Sequence, residues 1–283
     1  MPITINTNAS SLNAQRHLSI NGNNLSRSLE RLSSGLRINR AGDDAAGLQI
    51  SELFRAQIRG TSKAADNTQD GINLLNLADG AYQTITDNLQ RVRELTVQAA
   101  NDANATAQRT AIENEIDQLR NDVDRIASAT SFNGVNLLGS SVPANFYIQV
   151  GANANNALDR IDISSGLGNT STTASGINLS AATGQFTDNS AIQSYITKVD
   201  TALSALLTKR ATLGAFTNRL QSSLANVQIS NENFSAAEAR IRNVDVAAES
   251  ANLTRNQILQ QASASILTQA NQIPQLALKL LGN

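Results

Sequence analysis

The chain offers few groups able to move a proton or hold a metal. Its one histidine, His17, stands among amides in a stretch that reads as a terminal helix, and no cysteine exists for it to activate; a general base needs a partner within hydrogen-bond reach, and the sequence supplies none nearby. Asp43 and Asp44 are adjacent carboxylates, the type that can share a proton. They follow Gly42 and precede an apolar-periodic run, where aspartates cap a helix and favour the positive end of its dipole. Asp117, Asp122 and Asp124 lack the spacing and the glycine of a calcium loop and read as an exposed helical face. There is no His-Glu-x-x-His helix and no phosphate-cradling glycine loop. The expectation is a protein with no catalytic, metal or cofactor site.

The elements around these residues explain their poverty in chemistry. Of 283 residues only 3% are aromatic and none is tryptophan, while the 41% hydrophobic content comes mostly from Ala, Leu, Ile and Val. That composition suits long helices packed along thin seams better than a thick core. The formal net charge is −1, and no Lys/Arg cluster stands ready for phosphates or an anionic membrane, so nucleic acid is not an expected partner. Absence of cysteine excludes disulfides and thiolate sites. The start, MPITINTNASSLNAQ, has neither a basic n-region nor an apolar h-region, so export would need a route other than a signal peptide.

Periodicity then places the helices. Ile192, Val199, Leu206, Leu213, Leu220, Val227, Phe234 and Ile241 recur every seven residues, with Ile196, Leu203 and Leu224 in a second row that Arg210, Thr217, Asn231 and Glu238 interrupt. Such heptads mark a long helix in a coiled-coil-like seam, with the polar breaks setting register. Leu75, Ala78, Tyr82, Ile85, Leu89, Val92, Thr96 and Ala99 step by three and four, and so do Ile112, Ile116, Leu119, Val123 and Ile126. Three such helices make a bundle packed through Leu89, Val92, Leu206, Leu213, Leu220 and Val227.

The ends carry stripes of their own: Leu18, Leu25 and Leu32, with Leu29 and Leu36 in a second row, and Leu259, Ile266, Ile273 and Leu280. Residues 1–15 and 256–278 hold no charge, so neither end has the solvated face of a free surface helix. Glutamines and Pro274 in the second stretch argue against a membrane span. Short isolated helices are marginal in water, and burying one Leu or Ile is worth ~1.5–3 kcal/mol; the ends are expected to order only when partner helices cover them. Gly35, Gly42, Asp43 and Asp44 read as the connector to the central bundle. In the glycine- and serine-rich middle, Phe146, Ile148 and Val150 alternate, as do Ile161 and Ile163, which predicts a small β-hairpin. For SSGLGNTSTTASG (164–176), order and disorder are equally open. The fold class is mainly α: long helices in a coiled-coil-like bundle, paired terminal helices and a small β-hairpin region.

INTNASSLNAQRHL at the start, LERLSSGLRINRAGDDAAGLQI from Leu29, DGINLLNLADGAYQTITDNLQRVRELTVQAAN from Asp70, FNGVNLL from Phe132, IQVGAN from Ile148 and ILQQASASILTQANQIPQLALKLL from Ile258 together resemble bacterial flagellins, in order and over nearly all of the chain outside its middle. The resemblance implies a helical homopolymer, the flagellar filament. It assigns 1–40 and 246–283 to the two halves of an inner coiled coil, 41–139 and 190–245 to an outer helical domain, and 140–189 to a short variable region. It further implies export unfolded through the flagellar type III route, an extracellular location, an export chaperone on the C-terminal segment, and cap and junction proteins as partners. Host receptors are implied too: residues 30–51 match a stretch sensed by plant immune receptors, and Arg91, Leu95 and Glu115 match contacts of the vertebrate flagellin sensor. A hook-filament junction protein and a secreted helical binding module are the alternatives.

Overall fold

The computed structural model describes residues 7–139, 143, 145–173 and 176–281, and the side chains of those up to 272. In chain order its elements are α1 (Ala9–Ser34), α2 (Ala45–Ala99), α3 (Thr106–Ala129), β1 (Ser131–Phe132), β2 (Val135–Asn136), β3 (Tyr147–Gln149), β4 (Arg160–Asp162), α4 (Asn189–Arg242) and α5 (Val246–Leu281). Asx side chains start every long helix but α3, whose cap position is Ala105, as their short acceptors allow: Asn8 accepts from Ser11 N, Asp44 from Gly47 N, Asp188 from Ala191 N, and Asp245 from Ala247 N and Ala248 N.

The chain forms two compact units, Met1–Ala56 with Asn233–Asn283, and Gln57–Glu232. These divisions fall inside α2 and α4, whereas the sequence suggests boundaries at 40/41 and 245/246, where helices break. Packing decides the difference. Phe54 stacks on Phe234 with centroids 6.0 Å apart, and Arg242 pairs with Glu52 at 2.8 Å, so the first turns of α2 and the last of α4 go with the termini.

In the 57–232 unit, α2 and α4 run antiparallel. Arg93 meets Asp200 at 2.7 Å, Arg210 meets Asp79 at 3.0 Å, and Asn231 donates to Ile58 O and Thr61 Oγ1, both at 2.9 Å. Two of the polar breaks in the heptads, Arg210 and Asn231, thus pin register by reaching named partners. Leu89, Val92, Leu206, Leu213 and Leu220 are buried in the core, and Val227 is half-buried. Tyr82 is buried too, its hydroxyl donating to Gly166 O at 3.0 Å.

β3 and β4 pair antiparallel with Ile148 opposite Ile161, the hairpin that the alternation predicts. A second hairpin, β1 and β2, turns at Asn133 and Gly134, whose φ values are 49° and 79°; Asn-Gly is the pair that tolerates such a turn. Residues 169–173 and 176–189 lie along α3, tied by carboxylates to backbone N–H groups: Thr172 N donates to Asp124 at 2.6 Å, Ala182 N to Asp117 at 2.8 Å and Phe186 N to Glu113 at 2.7 Å. Asp117 and Asp124 are therefore anchors and not the exposed acidic face the sequence suggests. Burial works against the charge of Asp117, yet donation from the Thr183 hydroxyl and from the N–H groups of Ala182 and Thr183 holds its carboxyl below the usual range.

Candidate functional site

The residues that could act on another molecule lie on the terminal helices and on the outer faces of the bundle. α1 and α5 pair with each other in an antiparallel coiled coil. Their seam follows steps of three and four: Ser11, Ala14, Leu18, Asn21, Leu25, Ser28 and Leu32 face Glu249, Leu253, Asn256, Gln260, Ser263, Leu267 and Ala270, all buried or half-buried. Across it Asn21 Nδ2 donates to Ser263 Oγ at 3.0 Å, Ser11 Oγ to Asn271 Oδ1 at 2.7 Å, and Arg31 lies 3.8 Å from Glu249. Polar seam residues of this kind specify register at a cost in stability. Fully buried apolar side chains are few here, Ala14 and Ala270 among them.

The sequence places Leu259 and Ile266 in this packing together with Leu18, Leu25 and Leu32. The three leucines are half-buried in the seam, but Leu259 is 43% and Ile266 58% exposed. Each lies one residue before a seam position, Gln260 and Leu267, and one residue turns a helix by about 100°. Ile273 and Leu280 lie outside the described side chains. Outward apolar residues on α1 match this pattern: Leu12, Ile20 and Leu29 are exposed. The terminal pair thus mixes amides and hydroxyls with half-buried leucines in its seam and leaves other large apolar side chains outward.

The connector holds its shape by backbone bonds. Gly35 ends α1 in the left-handed region, φ 70°, where a Cβ is disfavoured. Arg37 N then donates to Arg242 O at 2.6 Å and Val244 N to Gly35 O at 3.0 Å, pairing the α1–α2 link with the α4–α5 link. Of the two aspartates only Asp44 caps α2. Asp43 instead closes the turn before it, accepting from Asn39 N and Arg40 N at 3.2 and 3.0 Å, and the bond from Arg40 N, more than that from Asn39 N, keeps its carboxyl below the usual range. Gly42 has open space around it and no positive φ. Besides Gly35, Gly47 cannot be replaced freely, since a Cβ there would meet Asp44 Oδ2 at 2.4 Å and Ile38 Cδ1 at 2.8 Å.

On the bundle, Arg91 bridges α2 and α3 by pairing with Glu115 at 3.0 Å and also meets Glu94 at 3.3 Å. The bond to Glu115, then that to Glu94, raises the guanidinium pKa. Both side chains are about half exposed, 51% and 49%. Leu95, expected beside them as a contact, is only 2% exposed. A helix with neighbours on two sides needs a wider apolar stripe than one heptad row, and Leu95 belongs to that stripe.

Sequence reasoning missed Asn8. Its Nδ2 donates to Ala270 O at 2.7 Å, and α5 continues through Pro274, which has no N–H to offer that carbonyl four residues earlier. The N-terminal cap of one helix thereby fills a vacancy in the other. Pro274, read from sequence as an interruption, is accommodated. Among the described residues no helix is long and apolar enough to cross a membrane, and no group of three His, Asp or Glu side chains could hold a metal.

Comparison with known proteins places this architecture. Residues 5–142 match the family of the bacterial flagellin N-terminal helical region and residues 196–281 that of the C-terminal helical region. A flagellin of Halalkalibacterium halodurans is 44% identical over 277 residues, covering 98% of this chain and 99% of the relative. A flagellin of Bacillus subtilis is 42% identical over 303 residues and one of Treponema pallidum 40% over 288, at the same coverage. Among solved structures, a putative flagellar hook-associated protein from Vibrio parahaemolyticus overlays with a TM-score of 0.57 over 71% of this chain and 100% of that one at 11% identity, a likeness of fold alone.

Proposed function

The chain belongs to the bacterial flagellin family and is a structural subunit of a self-assembling flagellar filament; from that premise we propose that the outward apolar faces of α1 and α5 are the surfaces neighbouring subunits cover. The observation that carries this is the mixed seam of the terminal pair, with Asn21 bonded to Ser263 inside it and Ile266 exposed outside. A surface stripe of large apolar residues on a helix pair whose own seam is half polar favours association over solitude. The contacts join unlike patches and do not close on themselves, the geometry of a helical polymer. Torque passes through the terminal coiled coil and the packed bundle.

The domain roles follow the two compact units: 1–56 with 233–283 form the inner layer and 57–232 the outer layer, with 140–189 as a small outer tip. The same reading assigns an export chaperone to the exposed face of 246–283 before assembly, cap and junction proteins to the growing and anchored ends, and export to the extracellular filament. The exposed Arg91–Glu115 pair supports a contact with host flagellin receptors, made without the buried Leu95 side chain.

Deleting 246–283 tests the reading. The truncated chain is expected to keep the 57–232 bundle, seen as cooperative helical unfolding, and to form no filaments by electron microscopy. Filaments of normal stability from that chain contradict the assignment.

A further inference from the structure

Among the described residues the most exposed large apolar side chain is Leu158, at 78%, in the loop between β3 and β4. It is not a loose leftover. Asn155 O accepts from Leu158 N at 3.2 Å and from Asp159 N at 2.8 Å, Asn155 Oδ1 accepts from Ala157 N at 3.0 Å, and Asp159 Oδ2 accepts from Asn155 N at 3.0 Å. Asp159 is buried, and a Cβ on Gly151 would stand 1.8 Å from its Oδ1. The turn is therefore fixed before anything binds, which lowers the ordering cost of using Leu158 as an anchor.

The same unit carries a groove of about 360 Å³ between α2 and the two hairpins, lined by Leu74, Phe132, Val135, Phe146 and Tyr147. Three of the nine aromatic residues in the chain converge there, a concentration typical of the centre of an interface. At its rim the exposed side chains of Asp70 and Asn133 bond to no other described residue, which leaves them for the backbone of an incoming turn.

Knob and groove cannot satisfy each other within one chain. The loop lies against Gly60 through Ala152 and the groove opens at Gly71 beside Ile148, eleven residues or about 16 Å apart along α2. We propose that Leu158 of one subunit seats in the aromatic groove of a neighbouring subunit. This rests on the filament reading. An anchor and a pocket on different patches of one body make a heterologous contact, which propagates, whereas a closed dimer needs one self-complementary patch; a second copy is thus the occupant that the arrangement fits.

The absence of native cysteine makes the test direct. Subunits carrying Leu158→Cys, mixed with subunits carrying Val135→Cys, should cross-link when filaments are oxidised, well above a mixture of Leu158→Cys with Ser222→Cys on the exposed face of α4. Leu158→Asp should raise the critical concentration for assembly by about tenfold or more with the unfolding curve of the subunit unchanged. No cross-linking above the control, or an unchanged critical concentration, overturns the contact while the filament reading stands. If the unaltered chain forms no filaments at all, both fall together.

Discussion

Asn8 and Ala270, 262 residues apart in the chain, are joined by a 2.7 Å bond from a side-chain amide to a backbone carbonyl, while the oxygen of the same amide caps α1 through Ser11 N. The carbonyl is free because Pro274 cannot donate to it. Asn8→Asp keeps an oxygen for the cap and loses the donor, so it should weaken the α1–α5 pair by about 1 kcal/mol. In a Pro274→Ala background, where an N–H returns to Ala270 O, the same change should cost little. A double-mutant cycle by urea unfolding of the terminal helices measures the coupling; purely additive effects contradict the link.

The outward stripe of α5 makes the second prediction. Leu259→Asp and Ile266→Asp alter side chains that the seam does not use, so the isolated subunit should keep its helix content by circular dichroism. Polymerisation should suffer, each change raising the critical concentration about tenfold or more, since burial of such a side chain is worth ~1.5–3 kcal/mol. Pelleting assays give the number, and normal assembly would refute the role of the stripe.

At the connector, Asp44→Ala removes the cap of α2 and should cost about 1 kcal/mol. Gly47→Ala should cost about 1–3 kcal/mol, because its Cβ would press on Asp44 and on the buried Ile38. The double variant should cost less than the sum, as the carboxylate that Gly47→Ala would strike is gone. Chemical denaturation of the four proteins checks the inequality.

Asp117 supplies a pH signature. Its folded pKa lies below the unfolded value of 3.8, so its contribution is complete above that value and is lost as pH falls through the folded one. Asp117→Asn should lower Tm at pH 7, and the gap to the unaltered protein should shrink as pH drops below 3.8. A gap that is constant with pH would show that the carboxylate charge contributes nothing there.

Much of this was legible in the residues. The rows from Ile192 to Leu220 and from Leu75 to Ala99 name the core because a heptad ties burial to local spacing, and β3 and β4 follow from strict alternation. The signal of Asn133-Gly134 was also present and predicts β1 and β2. Other features depend on contacts that spacing does not encode. Leu259 and Ile266 form as regular a stripe as Leu18, Leu25 and Leu32, and only the pairing of two helices decides which stripe faces inward. Leu95 is buried because a third helix widens the apolar face. Asp117 and Asp124 resemble solvated acids until a segment from 48 or more residues away presents its N–H groups to them.

Amide hydrogen exchange on α1 and α5, in the dilute subunit and in the filament, bears most directly on whether other copies complete the terminal pair. With a half-polar seam and outward apolar faces, these helices should exchange ~1000-fold or more faster than 75–99 of α2 in the subunit, and at comparable rates once polymerised. Equal protection of α1, α5 and α2 in the dilute subunit, unchanged by assembly, would contradict the account.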